Sequence, residues 1–417
     1  MDSWEQSLFL LSEYLISKSI AIVGGGVAGI TAAIRLKDLG YFPTIFEADS
    51  RVGGKVLTVK KDEHLFEMGA AVFCEHFHEI RDLASRVNHS IETNTSLEKP
   101  EFFFEDGQRF HGLTLPQKIS YVLEFYLFLI NLWFKKNVLH QSDIASFYGL
   151  KKFPTLYNLI GSIWTGMGYG YLDEVSAKYF PYFFQISKAY LSPFSKQLAS
   201  KSSWGMSSLW EQLAKELNVR LNVEVTEISL LKDGKIQVNG DSVQFDALIF
   251  ACPPYQAKKI ISNYLVDYQF LNQFKYIDYH SFLIKSASFP VQFGYFPSWI
   301  EGPFKRSSSP VCWYQPYKDD SHILIYSISD QGAQIEEIEE CIKTALAKVD
   351  VSIDSFEERK SWKYFPHFSP EDIDSGIFNE IESLQGKNNI YWAGEYLSFA
   401  TLEHSARNAS QLVKRYF

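Results

Sequence analysis

The stretch from Ser19 to Lys55 limits this chain more than any other. An apolar run, Ile20 to Val23, breaks into Gly24, Gly26 and Gly29, spaced as GxGxxG. A helical pattern follows, with Ile30, Ala33, Ile34 and Leu36 on one side, and it stops at Gly40. A second apolar run, Thr44 to Phe46, ends on Glu47. Strand, glycine turn, helix and strand, with an acid about 20 residues past the glycines, is the fingerprint of a dinucleotide-binding unit. Gly24 permits the tight turn, Gly26 lets backbone approach a pyrophosphate, and Gly29 lets the helix pack close to the strand. Val27, Ala28 and Gly29 open a helix whose free N–H groups and positive dipole suit the phosphates. Glu47, followed by Ala48, can accept hydrogen bonds from a ribose diol.

A second glycine pair comes soon after, in Arg51-Val52-Gly53-Gly54-Lys55, and Met68-Gly69-Ala70 reads as a turn at the first domain's edge. Nearly the whole chain away, Ile390-Tyr-Trp-Ala-Gly-Glu395 is a strand signal feeding a turn, followed by Ser398, Phe399 and a helix from about 402 to 416. Such a turn puts Gly394, Glu395 and backbone N–H groups beside a cofactor, with the next helix N-terminus aimed at it. Two distant segments meeting at one cofactor make the first domain discontinuous.

The chain has 417 residues, 46% of them hydrophobic and 21% charged, which allows two or three domains and a large core. The net charge is −9 and no Lys/Arg block is long enough for a nucleic-acid surface. Cys74, Cys252, Cys312 and Cys341 are far apart with no CxxC. That excludes a disulfide framework, predicts no metal site and fits a reducing, cytoplasmic compartment. Residues 1–18 lack the charge pattern of a signal peptide; Trp4, Leu8, Leu11 and Leu15 instead share a helical face. There is no GxSxG, HExxH or P-loop, so the chemistry should belong to a cofactor. Phe, Tyr and Trp number 34, 24 and 9, which reads either as an aromatic core or as an apolar pocket for a greasy substrate.

Along the chain, residues 78–86 look helical and Phe102 to Phe110 reads as a hairpin turning at Asp106-Gly107. The most apolar stretch is 116–135, interrupted by Glu124 and Asn131 and closed by Lys135 and Lys136. It is short of the roughly 20 uninterrupted apolar residues of a membrane span. It reads as a buried or interface helix, with peripheral membrane contact through 119–135 as a second reading. Ser208 to Glu211 reads as a capping box opening a helix through Leu217. Strand signals follow at 219–225, 235–238 and 247–251, then near 278–288, 309–316 and 322–329. A helix near 334–349 offers Glu339 and Lys343 as an i,i+4 pair. The expected architecture is α/β. A Rossmann-like dinucleotide-binding domain comprises 1–75, 201–262 and 385–417, the domain that the resemblance described next assigns to FAD. An α+β substrate domain comprises 76–115 and 263–384, and a helical cap spans 116–200.

The fingerprint, the Arg51 to Lys55 box and the Ala393-Gly394-Glu395 turn resemble the flavin-dependent amine oxidase superfamily, of the type with two dinucleotide-binding domains. The resemblance extends to bacterial polyunsaturated fatty acid double-bond isomerases of that superfamily. It is carried by Val52-Gly-Gly-Lys55, Phe66-Glu-Met-Gly-Ala70, Met167-Gly-Tyr-Gly170, Tyr364-Phe-Pro-His367 and Ala393-Gly-Glu-Tyr-Leu-Ser-Phe399. It implies FAD, with the backbone of Val225 reading the adenine. It also implies hydride transfer between substrate and flavin N5 and a product with a conjugated diene. Met167, Tyr169, Phe365, His367 and Phe399 would line the site, and Lys99 would hold the substrate carboxylate. The implied substrate is a small apolar molecule, a fatty acid or lipid. The same resemblance leaves open a net oxidation, as in amine or amino-acid oxidases and carotenoid-type desaturases, and a non-catalytic flavin-binding partner protein.

Overall fold

The glycine-rich unit folds as its spacing predicts. In a computed structural model, Ser19–Val23 pairs in parallel with Phe42–Phe46 on one side and Ala247–Phe250 on the other. Ile390–Trp392 extends the sheet beyond Ala247–Phe250, and Asn218–Arg220 closes the other edge, all five strands parallel. Strands from residues 19–250 and from the C-terminal end thus share one sheet, and the cofactor domain is discontinuous. The described residues are 18–417, apart from 71, 72, 75, 96–100, 103–114, 136–141, 192–198, 202, 203, 288, 290–292, 300–304, 318 and 319. The helical reading of residues 1–18, the Phe102 to Phe110 hairpin and Lys99 therefore fall wholly or mostly outside them.

Helix Val27–Asp38 packs against the C-terminal helix Leu402–Tyr416. Helix His78–Arg86, assigned from sequence to the second domain, packs on this same layer. Its first-turn N–H groups, on Glu79 and Ile80, donate to the buried Glu403 carboxylate at 3.1 and 3.2 Å. Arg35 bonds Glu79 at 2.7 Å and Asp82 at 2.5 Å.

The second layer is a six-stranded sheet in the order Ser355–His367, Lys275–Lys285, His322–Ser329, Ser307–Tyr314, Phe293–Tyr295, Glu101–Phe102. Helix Ile335–Ala347 covers one face through Ile338, Ile342 and Leu346, forming a smaller core of its own. The cap carries helices Leu115–Lys135, Ile144–Tyr148, Pro154–Gly166 and Phe180–Leu191.

Several local expectations change. The 219–225 strand is only Asn218–Arg220, because Asn222 turns left-handed at φ 57. The chain then hugs the acid loop, Val223 N–H donating to the Glu47 carbonyl at 2.9 Å. The capping box at Ser208 does not form. The helix starts earlier, Met206–Ala214, because the hairpin Thr58–Lys61/His64–Glu67 supplies the cap: the Glu67 carboxylate accepts the Met206 N–H at 2.8 Å and the Thr58 hydroxyl accepts the Ser207 N–H at 3.0 Å. Glu339 pairs with Arg359 on the neighbouring strand, leaving Lys343 to Glu340 at 3.6 Å. The thirteen-residue strand Ser355–His367 has no counterpart in the sequence reading.

Candidate functional site

The first half of the site is backbone. Gly26 and Gly53 form a parallel bridge, and Gly53 N–H donates to the Gly25 carbonyl at 2.8 Å. A Cβ on Gly54 would lie 3.2 Å from Gly26 Cα, whereas one on Gly26 would meet nothing nearer than Gly54 Cα at 3.9 Å. Gly26 therefore fronts a gap between two glycine loops. A Cβ on Gly29 would sit 1.9 Å from the Gly24 carbonyl oxygen, so only glycine lets the helix start this close to the strand. That helix has no side-chain cap and no acidic residue in its first turn, which leaves its first N–H groups for an anion. Glu47 is held in place by the Gly25 and Asp49 N–H groups at 2.6 and 2.8 Å, with lone pairs to spare for a diol. Ala48 lies between them in sequence. Val225 is buried and its N–H and C=O find no partner among the described residues. A glycine-walled gap, uncapped helix N–H groups, an anchored acid and an open backbone amide fit the phosphate, ribose and base of a dinucleotide.

Arg51 does not reach into this gap. Its guanidinium donates to the carbonyls of Val52, Gly54 and Val56 at 3.2, 2.7 and 2.7 Å, and so shapes the second glycine loop. Gly69 is pressed on that loop, since a Cβ there would lie 1.9 Å from the Lys55 carbonyl oxygen, and Ala70 N–H donates to the same oxygen at 3.0 Å. The buried Met68 is fixed through its carbonyl by the Ser281 hydroxyl at 2.6 Å and the Trp362 indole at 3.1 Å.

The loop's end meets the far end of the chain: Lys55 forms an ion pair with Glu395, and its Nζ lies 5.3 Å from the centre of the Tyr364 ring. Gly394, at φ +145, donates its N–H to Asn408 at 2.9 Å. The C-terminal helix does not follow directly. A short turn, Glu395–Leu397, and Ser398 intervene, and the helix starts at Leu402 with Thr401 as its own cap. The helix N-terminus is thus capped by protein, and the turn itself stands at the site.

The second half is a close-packed cluster of buried rings, the aromatic chamber. Tyr169 lies 4.7 Å from Phe399, 5.2 Å from Phe365 and 5.3 Å from Trp164, centre to centre. Phe183, Tyr179 and Tyr182 close it from the cap. The Tyr169 and Tyr364 rings stand 6.1 Å apart at 27°, and both hydroxyls donate to the Ala400 carbonyl, at 3.1 and 3.2 Å. Glycines let these rings in. A Cβ on Gly168, at φ +84, would strike the Tyr364 ring at 2.7 Å, and one on Gly166 would strike Tyr295 at 2.6 Å. Met167, between them, is half-buried against the core. Phe365 is held at φ +44 where the strand Ser355–His367 bulges against Lys275–Lys285. A bulky residue in this region is strained, and the bulge turns the ring into the chamber.

The chamber is electrically quiet. Burial pushes the Tyr169 and Tyr364 phenols up, so both stay protonated. Burial pulls His367 down to about 4, and it donates from Nδ1 to the Phe365 carbonyl at 2.7 Å. Burial likewise lowers His404, beside Phe399 and Tyr182, to about 4. The paired Lys55 and Glu395 mark its charged border.

Sequence reasoning brought Tyr169, Phe365, His367 and Phe399 to one place and missed Trp164, Tyr179, Tyr182, Phe183, Tyr364 and His404. Tyr364 adjoins Phe365 in a segment already singled out, and Tyr179, Tyr182 and Phe183 recur at helical spacing. Those were the available signals.

Comparison with known proteins gives the family and the fold. A family model described as flavin containing amine oxidoreductase matches residues 27–413. The 4,4'-diapophytoene desaturase of Staphylococcus aureus (strain MRSA252) is 24% identical over 274 residues, 55% of this chain and 54% of that protein. Protoporphyrinogen oxidase 2 of Arabidopsis thaliana is 41% identical over 71 residues, 17% of this chain and 14% of that protein. The chain thus spans about half the length of the desaturase and a small part of the plant protein. Among solved structures, a CLA-producing fatty acid isomerase from P. acnes superposes with a TM-score of 0.83 at 22% identity, covering 96% of this chain and 99% of that one. Putrescine oxidase bound to putrescine gives 0.73 at 15% identity, covering 96% and 98%. These likenesses show a shared FAD-binding fold. The chain belongs to the flavin containing amine oxidoreductase family.

Proposed function

We propose that this protein is an FAD-dependent enzyme that isomerises a polyunsaturated fatty acid, or a similar apolar lipid, to a conjugated diene. The observation that carries this reading is the aromatic character of the region: Trp164, Tyr169, Phe365 and Phe399 pack ring on ring, and the two histidines beside them are neutral at pH 7. Gly26, Gly53, Gly54, Glu47, Val225 and Glu395 would hold the cofactor. When bound, the flavin supplies an acceptor and donor of hydride.

The chain's own residues do the rest. The rings exclude water, which would otherwise trap an electron-poor allylic carbon. Their π faces favour positive charge on that carbon. Lys55, tied to Glu395, places a fixed charge at the chamber's border and not inside it. The hydroxyls of Tyr169 and Tyr364, both directed at the Ala400 carbonyl, are kept from protonating a substrate intermediate. Lys99 as holder of the substrate carboxylate is part of the same proposal.

A second reading, net oxidation of an amine or desaturation of a lipid, draws support from the Tyr169–Tyr364 pair, two nearly parallel rings 6.1 Å apart. Anaerobic incubation of the flavin-loaded protein with linoleate separates the two. Isomerisation gives a rising ultraviolet diene band while the flavin spectrum stays oxidised. Lasting bleaching by linoleate or by an added amine, without diene, would overturn the isomerase reading in favour of oxidation.

A further inference from the structure

The cap helix Leu115–Lys135 reverses the polarity of a surface helix. Its two central polar side chains point inward: the Glu124 carboxylate accepts the Leu156 N–H at 2.9 Å and Asn131 Nδ2 donates to the Tyr148 carbonyl at 2.6 Å. Tyr121, Phe125 and Phe128 fill the same inward face. The outward face is bare and apolar. Ile119, Leu123, Leu127 and Ile130 are 53–58% exposed, and Trp133 and Phe134 are 72% and 68% exposed. They fall on one stripe about 22 Å long at 1.5 Å per residue. A helix facing water carries its polar residues outward, and a contiguous exposed apolar patch marks an interaction surface.

Charge says what covers it. The helix's single carboxylate, Glu124, is turned away from the stripe. Trp133-Phe134 is followed by Lys135, and the exposed Lys151 and Lys152 adjoin Ile144–Tyr148, which packs on the same helix. The segments that meet at this end of the helix carry lysines in sequence, although the chain as a whole carries −9. Aromatic residues next to lysines at a helix end suit the boundary of an anionic bilayer. A stripe one helix wide falls well short of the roughly 800 Å² per partner of a stable dimer, whereas a bilayer demands no matching shape.

We propose that this helix docks in the plane of an anionic lipid bilayer, its stripe sunk at the headgroup boundary and Lys151 and Lys152 against lipid phosphates. No helix among the described residues is long and apolar enough to cross a membrane, and the inward face is already engaged by protein, so the helix lies flat. It packs on Pro154–Gly166, which carries Trp164 into the chamber. Docking thereby sets the chamber next to the bilayer, a consequence that rests on the lipid-substrate reading.

The test is co-sedimentation of the flavin-loaded protein with vesicles of saturated phosphatidylcholine, with and without saturated phosphatidylglycerol. Saturated chains offer no double bond, so the outcome is independent of the reaction. Wild type should partition onto the anionic vesicles. Leu123→Gln, Leu127→Gln and Trp133→Gln together should lower partitioning at least ten-fold, with flavin content and unfolding midpoint unchanged. Lys151→Gln and Lys152→Gln should each lower it about five-fold, on anionic vesicles only. Absence of wild-type partitioning, or equal partitioning of the stripe variant, would overturn the proposal. So would light scattering that shows a vesicle-free dimer which the stripe variant dissolves, since the stripe would then belong to a second copy.

Discussion

The glycine cradle and the aromatic chamber sit side by side and are built in opposite ways. The cradle is backbone: Gly24, Gly26, Gly29, Gly53 and Gly54 matter for the side chains they lack. The chamber is side chain: its rings come from the cap helix at Trp164, the turn at Tyr169, the helix at Phe183, the strand bulge at Phe365 and the C-terminal turn at Phe399. A backbone site depends on conformation within a few neighbouring residues. A side-chain site depends on packing across the whole molecule. Substitutions should therefore separate the two.

The largest effect should come from Gly29→Val, whose Cβ would lie 1.9 Å from a carbonyl oxygen that cannot move without the turn. Loss of both cofactor and folded stability is expected. Gly26→Val differs, because its Cβ has 3.9 Å of clearance from protein. It should retain stability to within about 1 kcal/mol and still lose the flavin. Visible absorbance after gel filtration, read with a urea midpoint, checks both, and a Gly26→Val protein that stays yellow would sink the cradle assignment.

Next is Trp164→Ala in the chamber. The indole is fully buried among rings, so the cavity should cost about 3–5 kcal/mol while the cradle keeps its flavin. Equal loss of flavin and stability would mean that the two regions do not act independently.

The smallest effect concerns Glu67, which caps Met206–Ala214 outside the ring cluster. Burial raises its carboxyl from 4.5 to about 7, against the Met206 N–H and Thr58 hydroxyl bonds that lower it. Because the folded value is above the unfolded one, the fold binds the extra proton. Its contribution is fully present below pH 4.5 and is lost as pH rises through 7. Glu67→Gln should therefore gain up to about 3 kcal/mol relative to wild type across that window and nothing more above it. Denaturant titrations at several pH values measure this; a constant difference at every pH would show that Glu67 does not titrate there.

Much of the cradle was legible because its signals are local. GxGxxG, the acid at Glu47 and the Ala-Gly-Glu turn each act within a few residues, and the strands they end are apolar runs with no alternative. The cap of Met206–Ala214 was misread because its partners, Thr58 and Glu67, lie more than a hundred residues away. The strand Ser355–His367 escaped notice because it is an edge strand whose first half carries a charged run, Glu357 to Lys360, in place of an apolar one. Sequence marked Arg51 only as part of the second glycine box; the structure shows what it does there, its guanidinium held by three carbonyls of the loop.

By itself the sequence determined that a flavin-type dinucleotide fold would form and that the two distant ends of the chain would come together in it. Glycine spacing and apolar periodicity dictate local backbone, and local backbone decides where a pyrophosphate can lie. Only the tertiary structure decided which rings form the chamber, that its histidines are neutral, that Lys55 closes on Glu395, and which face of Leu115–Lys135 is left bare. Those outcomes depend on burial and on partners distant in the chain, which no stretch of sequence carries alone.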